Sequence, residues 1–374
     1  MKALQLYAGA RALQTLKRDG LQPQAVHTIA AAAGGPKGLV LGPLDRFLFG
    51  QWLPHSSQPV DLVGASIGAW RMATACLNDP VAAFERLEHD YIHQHYELAP
   101  GQKRPSAALV SDLFGKNLQA FYGGRESEVL QHPRFHLHVV TSRGRHMLTN
   151  EHWLGTPLGY LGAFLTNVVQ RKAMGAWLER VVFSTASAPN TAAPCSPLPF
   201  ASDDYRTRQV ALTSANFQLA LQASCSIPFV LRAVPAIPGA PHGAYWDGGI
   251  TDYHLHLNYP GARRTPDAAP PDGGIVLYPH FQRAVVPGWL DKKLRWRHHA
   301  TSYLDTMLLL APRPEWIQTL PHAKLPDRTD FTYYGNDLAA RVQAWRSATS
   351  ASAQLADEFA AWLERPDMAQ VQPL

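Results

Sequence analysis

Apolar residues along this chain fall into short unbroken runs that alternate with segments of helical period. Residues 25 to 33, A-V-H-T-I-A-A-A-A, read as a buried strand; a glycine-rich turn follows, and the apolar-periodic segment from Leu39 to Phe49 reads as a helix. The pattern then repeats. Residues 60 to 65, V-D-L-V-G-A, read as a second strand, and G-A-W-R-M-A-T-A-C-L after Ser66 as a second helix. Further strands are predicted at 135 to 141, 180 to 185 and 209 to 213, with another apolar run at 273 to 280. Helical patterns cover about 81 to 96, 107 to 121, 158 to 178, 215 to 226 and 337 to 364. Short apolar strands alternating with helices require cover on both sheet faces, so the expected class is α/β: three layers around a mostly parallel sheet. The proline-rich stretch T-P-D-A-A-P-P-D at 265 to 272 reads as an insertion on that sheet rather than a linker. The pattern predicts a main domain over 1–285 and a mainly helical C-terminal extension over 286–374, packed on it.

Composition narrows the class. With 374 residues, 46% of them hydrophobic, the chain can bury a sizeable core, and 17% charged residues is too few for a disordered or coiled-coil protein. A net charge of +5, spread along the chain, permits attraction to anionic surfaces without requiring nucleic acid, and no nucleic-acid partner is expected. Cys76, Cys195 and Cys225 are odd in number and widely spaced, which argues against a disulfide framework; no C-x-x-C pair offers zinc a thiolate site. The N-terminal M-K-A-L-Q-L-Y-A-G-A-R-A-L has no apolar core before its next charge, and the stretch Ile29 to Gly50 is broken by Lys37, Asp45, Arg46 and two prolines. The expectation is a cytoplasmic protein, with peripheral membrane contact as the one addition.

Candidate chemistry starts at G-A-S-I-G, Gly64 to Gly68. A serine between two glycines, after a strand and before a helix, sits on a sharp turn where its hydroxyl is exposed at the sheet's carboxyl edge. The turn A-G-G-P-K-G, Ala33 to Gly38, ends the preceding strand and opens a helix, so its amides can face an anion; Pro36 has no N–H to offer. A phosphate or dinucleotide loop would need a fuller G-x-G-x-x-G or a G-x-x-x-x-G-K-[ST], and neither is present. For a base, Asp247 in Y-W-D-G-G-I follows an apolar-aromatic run at a tight turn. A second D-G-G at Asp272 lies inside the proline-rich loop and before its strand, which favours Asp247. A Ser–His–Asp triad in the order serine, acid, histidine would draw on His254, His256, His280 or His322, none in a distinctive local pattern. His136 with His138, and His89 with His93, have ligand-like spacing but no marked third ligand, so structural or surface histidine is the better reading and no metal is expected.

Taken in order, glycine loop, G-x-S-x-G one strand–helix unit later, A-S-C-S-I-P-F from Ala223 to Phe229, and D-G-G together resemble the patatin-like phospholipase family. The four motifs span residues 33 to 249. The resemblance implies a serine acyl hydrolase with a Ser–Asp dyad, no catalytic histidine and no cofactor. It implies Ser66 as nucleophile and Asp247 as base. It implies an oxyanion and substrate loop at Gly34, Gly35, Lys37 and Gly38, with Gly64, Gly68, Gly248 and Gly249 as supporting turn residues. Two departures stand out: Ala33 replaces the loop's first glycine, and Pro36 fills a position usually held by a residue with an N–H. Which loop amides meet the oxyanion is therefore open.

The activity so implied is cleavage of lipid carboxylic esters through an acyl-enzyme, which demands a desolvated pocket that raises the aspartate's pKa. The alternatives are a histidine-triad esterase and a catalytically silent lipid-binding protein on the same scaffold. The candidate for contact with lipid is Gly288 to His299, G-W-L-D-K-K-L-R-W-R-H-H, where cations interleave with Trp289, Leu290, Leu294 and Trp296; a solvated helix with its apolar side in the core is the stronger reading.

Overall fold

Every apolar run read as a strand is a strand of one sheet. The computed structural model describes residues 1–96, 105–186, 195–260 and 274–374. Among these, the strands are β1 (Leu4–Ala8), β2 (Val26–Ala31), β3 (Val60–Ala65), β4 (Phe135–Gly144), β5 (Leu178–Ser184), β6 (Thr207–Ala211), β7 (Val234–Pro235), β8 (Ala244–Asp247), β9 (Ile275–Pro279), β10 (Met307–Pro312) and β11 (Val371–Pro373). They order as β11-β1-β10-β9-β2-β3-β4-β5-β6, with β8 on β4 and β7 on β8. The run from β10 through β9, β2 and β3 to β4 is parallel. Helices flank the sheet, giving a three-layer α/β/α protein. The central strands β2, β3, β9 and β10 are almost continuously buried, as a parallel sheet covered on both faces requires.

Three expectations need correction. The boundary at 285 does not divide the fold: β10 lies inside the sheet between β1 and β9, and β11 pairs with β1. The C-terminal region is therefore part of the core, although it also carries the helices Leu338–Ala351 and Ala353–Glu364, split at Ser352. The segment from Leu39 to Phe49 is not one helix. A 3₁₀ segment Gly35–Leu41 gives way to an α-helix Gly42–Phe47, with Pro43 at its start, and then to a wide π turn over Leu48–Trp52. Gly288 to His299 is not a surface helix; it forms two 3₁₀ turns, with Leu294 buried, Trp289 and Leu290 half-buried, and only Trp296 of its large apolar residues well exposed. The proline-rich stretch 265–272, Asp272 included, lies outside the described residues.

β4 organises the site. Its first half pairs with β3, Val60↔Phe135 through Ala65↔Val140, and its next residues pair with β8, Thr141↔Asp247 through Arg143↔Tyr245. β3 runs parallel to β4 and β8 antiparallel, both along the same side of it. Their carboxyl ends therefore meet head-on at the Val140–Thr141 step. Residue alternation along β8 sends Tyr245 into the main core and Trp246 into a second, smaller core with Tyr160, Ala163 and Met174.

Candidate active site

Ser66 follows β3 and opens the helix Ile67–Ala75 with φ 56° and ψ −130°, a left-handed conformation costly for a residue with a Cβ. The strain is held by close packing. A Cβ on Gly68 would lie 1.9 Å from the Ala31 carbonyl oxygen, and one on Gly64 2.4 Å from Ala69 Cα, so both glycines are required for the strand, turn and helix to approach. The Ser66 N–H donates to Ser224 Oγ at 2.9 Å, and Ser224 Oγ in turn donates to the Val140 carbonyl at 2.7 Å.

Asp247 stands where β8 meets β3. Ser66 Oγ donates to Asp247 Oδ2 at 2.7 Å, and the Gly249 N–H donates to Asp247 Oδ1 at 2.7 Å. Both side chains are buried, Ser66 at 3% and Asp247 at 6% exposure. Burial pushes the Asp247 carboxyl above the ordinary carboxylate range, against the opposing pull of Arg328, the Ser66 hydroxyl, the Gly249 amide and Lys292. The two glycines after Asp247 are forced by contact: a Cβ on Gly248 would lie 2.0 Å from the Val140 carbonyl oxygen, and one on Gly249 2.6 Å from Ala33 Cβ. The second contact shows where the methyl of Ala33 goes, against the turn that carries the acid.

The segment Ala223 to Phe229 clamps both partners. Besides the Ser224 bridge, the Asp247 N–H donates to the Ser226 carbonyl at 2.9 Å and the Gly248 N–H to the Ser224 carbonyl at 3.2 Å. Cys225 lies beside Ser66, and burial holds its thiol well above the usual thiol range, leaving it a poor nucleophile.

A cavity of about 220 Å³ opens over the pair, lined among others by Gly34, Lys37, Ile227, Trp289, Lys292 and Arg328. Among the described residues, no acceptor takes the N–H of Gly34 or of Gly35, so both amides remain free at the end of β2. Three cations converge here. Lys37 Nζ sits 5.3 Å from the Phe281 ring centroid; Lys292 Nζ sits 3.9 Å from that of Tyr253; Arg328 Nε would lie 3.1 Å from a Cβ on Gly35. Partial burial, with Arg328 and Lys37 nearby, pulls Lys292 down to about 8, and burial likewise lowers Lys37.

The structure brings together Ser66, Asp247, Gly249, Gly34 and Lys37 of the expected residues. Gly35 is next to the cavity under Arg328. Gly38 does not line it: a Cβ there would lie 3.2 Å from Ile67 Cγ1, so its role is packing against the Ser66 helix. None of His254, His256, His280 and His322 lines the cavity. His254 is held by the Ala284 carbonyl and the Val286 amide, His256 by Thr301, His322 by Tyr334, and His280 accepts from the Gln282 amide. His138 Nε2 lies 3.2 Å and His136 Nδ1 3.4 Å from Asp61 Oδ1; although burial opposes it, these imidazoles hold Asp61 at about 2.

Sequence reasoning missed two buried ion pairs that brace the site. Arg71, on the Ser66 helix, grips Asp45 with two 2.7 Å bonds, tying that helix to the one after the glycine loop. Arg180 on β5 grips Asp252, at the end of the turn that begins with Asp247, at 2.7 and 2.6 Å. Arg328 was also missed, and Lys292 was read only as one of the cations of the Gly288–His299 stretch and not as a cavity residue, because both lie in the region with the weakest pattern.

The fold and site define an α/β protein with a buried serine–carboxylate pair where the carboxyl ends of β3 and β8 meet along β4. The chain matches no protein-family model, and no curated protein matches it.

Proposed function

We propose that the protein is a serine lipid acyl hydrolase of the patatin-like phospholipase type, working through a Ser66–Asp247 dyad. The observation that carries this reading is the 2.7 Å bond from Ser66 Oγ to a buried carboxylate with no imidazole between them. In this mechanism Asp247 takes the Ser66 proton as Oγ attacks the ester carbonyl carbon. The carbonyl electrons move onto oxygen, which faces the free Gly34 and Gly35 amides and the positive end of the Ser66 helix. Collapse expels the alcohol, which leaves with the proton held by Asp247, and an acyl-serine remains. Water, deprotonated by the same carboxylate, then releases the acid and restores Ser66. A carboxyl raised above its ordinary value suits both proton transfers.

The cavity supports an anionic substrate class. Lys37, Lys292 and Arg328 border the dyad, so an ester carrying a phosphate beside its acyl chain would meet compensating charge. This favours a phospholipid or lysophospholipid over a neutral triacylglycerol.

The test is a fluorophosphonate probe with ester turnover measured alongside. Wild-type protein is expected to label and turn over; Ser66→Ala should lose both; Asp247→Asn should keep its fold and lose turnover. Labelling that survives Ser66→Ala would place the nucleophile elsewhere. Absence of labelling in folded wild-type protein would favour a silent lipid-binding protein on this scaffold.

A further inference from the structure

The helix Gly155–Val169 faces the wrong way for a simple cover on the sheet. Its inner side is built from Thr156, Gly159, Tyr160, Ala163 and Asn167, which pack over the second core. Its outer side carries Leu158, Leu161, Leu165 and Val168, spaced as one stripe and continued backward by Leu154. All are exposed, Leu165 at 57%, and the stripe ends on Trp153 at 78% and Val169 at 86%. Phe229 adjoins it, its ring 6.1 Å from Tyr160. Trp296 joins at the other end, where Arg297 donates to Asn167 Oδ1 and to the Val168 carbonyl. Among the described residues, eleven of the thirteen large hydrophobic side chains left exposed belong to this one region. A soluble surface rarely concentrates apolar area in this way without an occupant.

Three features select lipid as that occupant. The face runs into the catalytic cavity, because Phe229 follows Ile227 and Pro228, which line it, and projects outward at φ 67°. Exposed cations border it: Lys172 and Arg295 at the Val169 end and Arg232 beside Phe229. Tryptophans stand at both ends of the stripe, where an indole's mixed character matches the headgroup layer. A second copy seated on this face by two-fold symmetry would bring the two basic borders together.

We propose that this face binds the surface of an anionic bilayer, with the helix Gly155–Val169 lying in the interfacial plane and the cavity mouth opening beside it. The site differs from the candidate stretch Gly288 to His299, of which Arg295 and Trp296 take part at the edge. Binding does not depend on the hydrolase reading, since it can be measured without turnover.

The experiment is co-sedimentation of the full chain, as wild type and as Ser66→Ala, with phosphatidylcholine vesicles with or without phosphatidylglycerol. Both proteins are expected to bind the anionic vesicles, and binding should weaken as salt rises. The double variant Leu161→Glu/Leu165→Glu should bind about tenfold more weakly or less, with unchanged Tm and unchanged turnover of a soluble short-chain ester. Failure of wild type to bind anionic vesicles overturns the proposal, as does binding indifferent to the double substitution. A wild-type dimer in sedimentation that the double variant dissolves would also overturn it, by giving the face to a second copy. Loss of turnover in Ser66→Ala with vesicle binding intact keeps this test separate from the catalytic one.

Discussion

The hydroxyl of Ser224 is the support on which the strained backbone of Ser66, the proposed nucleophile, rests, and removing it has a calculable effect. In Ser224→Ala the Ser66 N–H loses its acceptor and the Val140 carbonyl loses a donor, both in a fully buried setting. A buried polar group left unpaired costs about 1–3 kcal/mol, less for a carbonyl, so the pair costs about 2–4 kcal/mol. With an unfolding entropy of about 2.1 cal/mol/K per residue over 374 residues, each kcal/mol is worth about 1.3 °C, and Tm should fall by about 3–5 °C. The catalytic effect should be larger in proportion. Ser66 has φ 56° and its Oγ sits 2.7 Å from Asp247; relaxing the backbone by about 1 Å is enough to lose about 10²-fold in kcat with KM little changed. Calorimetry and steady-state ester kinetics measure both. Ser226→Ala is the control, because among the described residues its side chain bonds only to the Gln222 carbonyl while its backbone still receives the Asp247 amide. Wild-type kcat in Ser224→Ala would refute the claim that this hydroxyl positions the nucleophile.

Other outcomes follow from the buried charges. Because burial raises the Asp247 carboxyl, the folded state is most favoured with that group protonated and loses stability as pH rises through its folded value; Asp247→Asn should therefore melt above wild type at neutral pH, with the gap closing toward acid pH. A gap that stays constant from pH 4 to 8 would show that desolvation is not the cause. Arg328 opposes the rise, so Arg328→Met should move the acid limb of the turnover profile to higher pH. Arg71→Met strands the Asp45 carboxylate in the core and should cost about 3–5 kcal/mol in urea titration, while Asp45→Leu added to it should recover most of the loss.

The parts of this protein legible in its sequence were those encoded locally. β2 and β3 were found because apolar runs end in glycine turns, and the motif residues lie on those turns. Ser66 and Asp247 are 181 residues apart, and only the order of motifs linked them. What stayed hidden was set by partners distant in the chain. β10 is a plain apolar run, M-L-L-L-A-P, whose place beside β9 depends on pairing rather than pattern. Asp45 and Arg71 look like ordinary helix charges until the two helices pack. The helix Gly155–Val169 carries apolar residues on both sides and its few polar ones on the buried side, so its periodicity could not say which side would be covered. Gly159 and Ala163 were the available clue, since small residues mark the side that approaches a neighbour closely.

The head-on meeting of β3 and β8 along β4 makes that strand a ruler for the Ser66–Asp247 pair. Loops between Ser66 and Asp247 can lengthen or shorten without moving the two side chains apart, because their places are set by pairing with β4 and not by the length of the loops between. One added residue at the Val140–Thr141 step would instead shift the two ends by about 3.3 Å, more than the dyad's hydrogen bond can follow. Were the polypeptide divided between β4 and β8, each fragment would hold half of the dyad. If the proposed dyad holds, turnover would then report, as a yes-or-no signal, whether a single pair of strands had found its register.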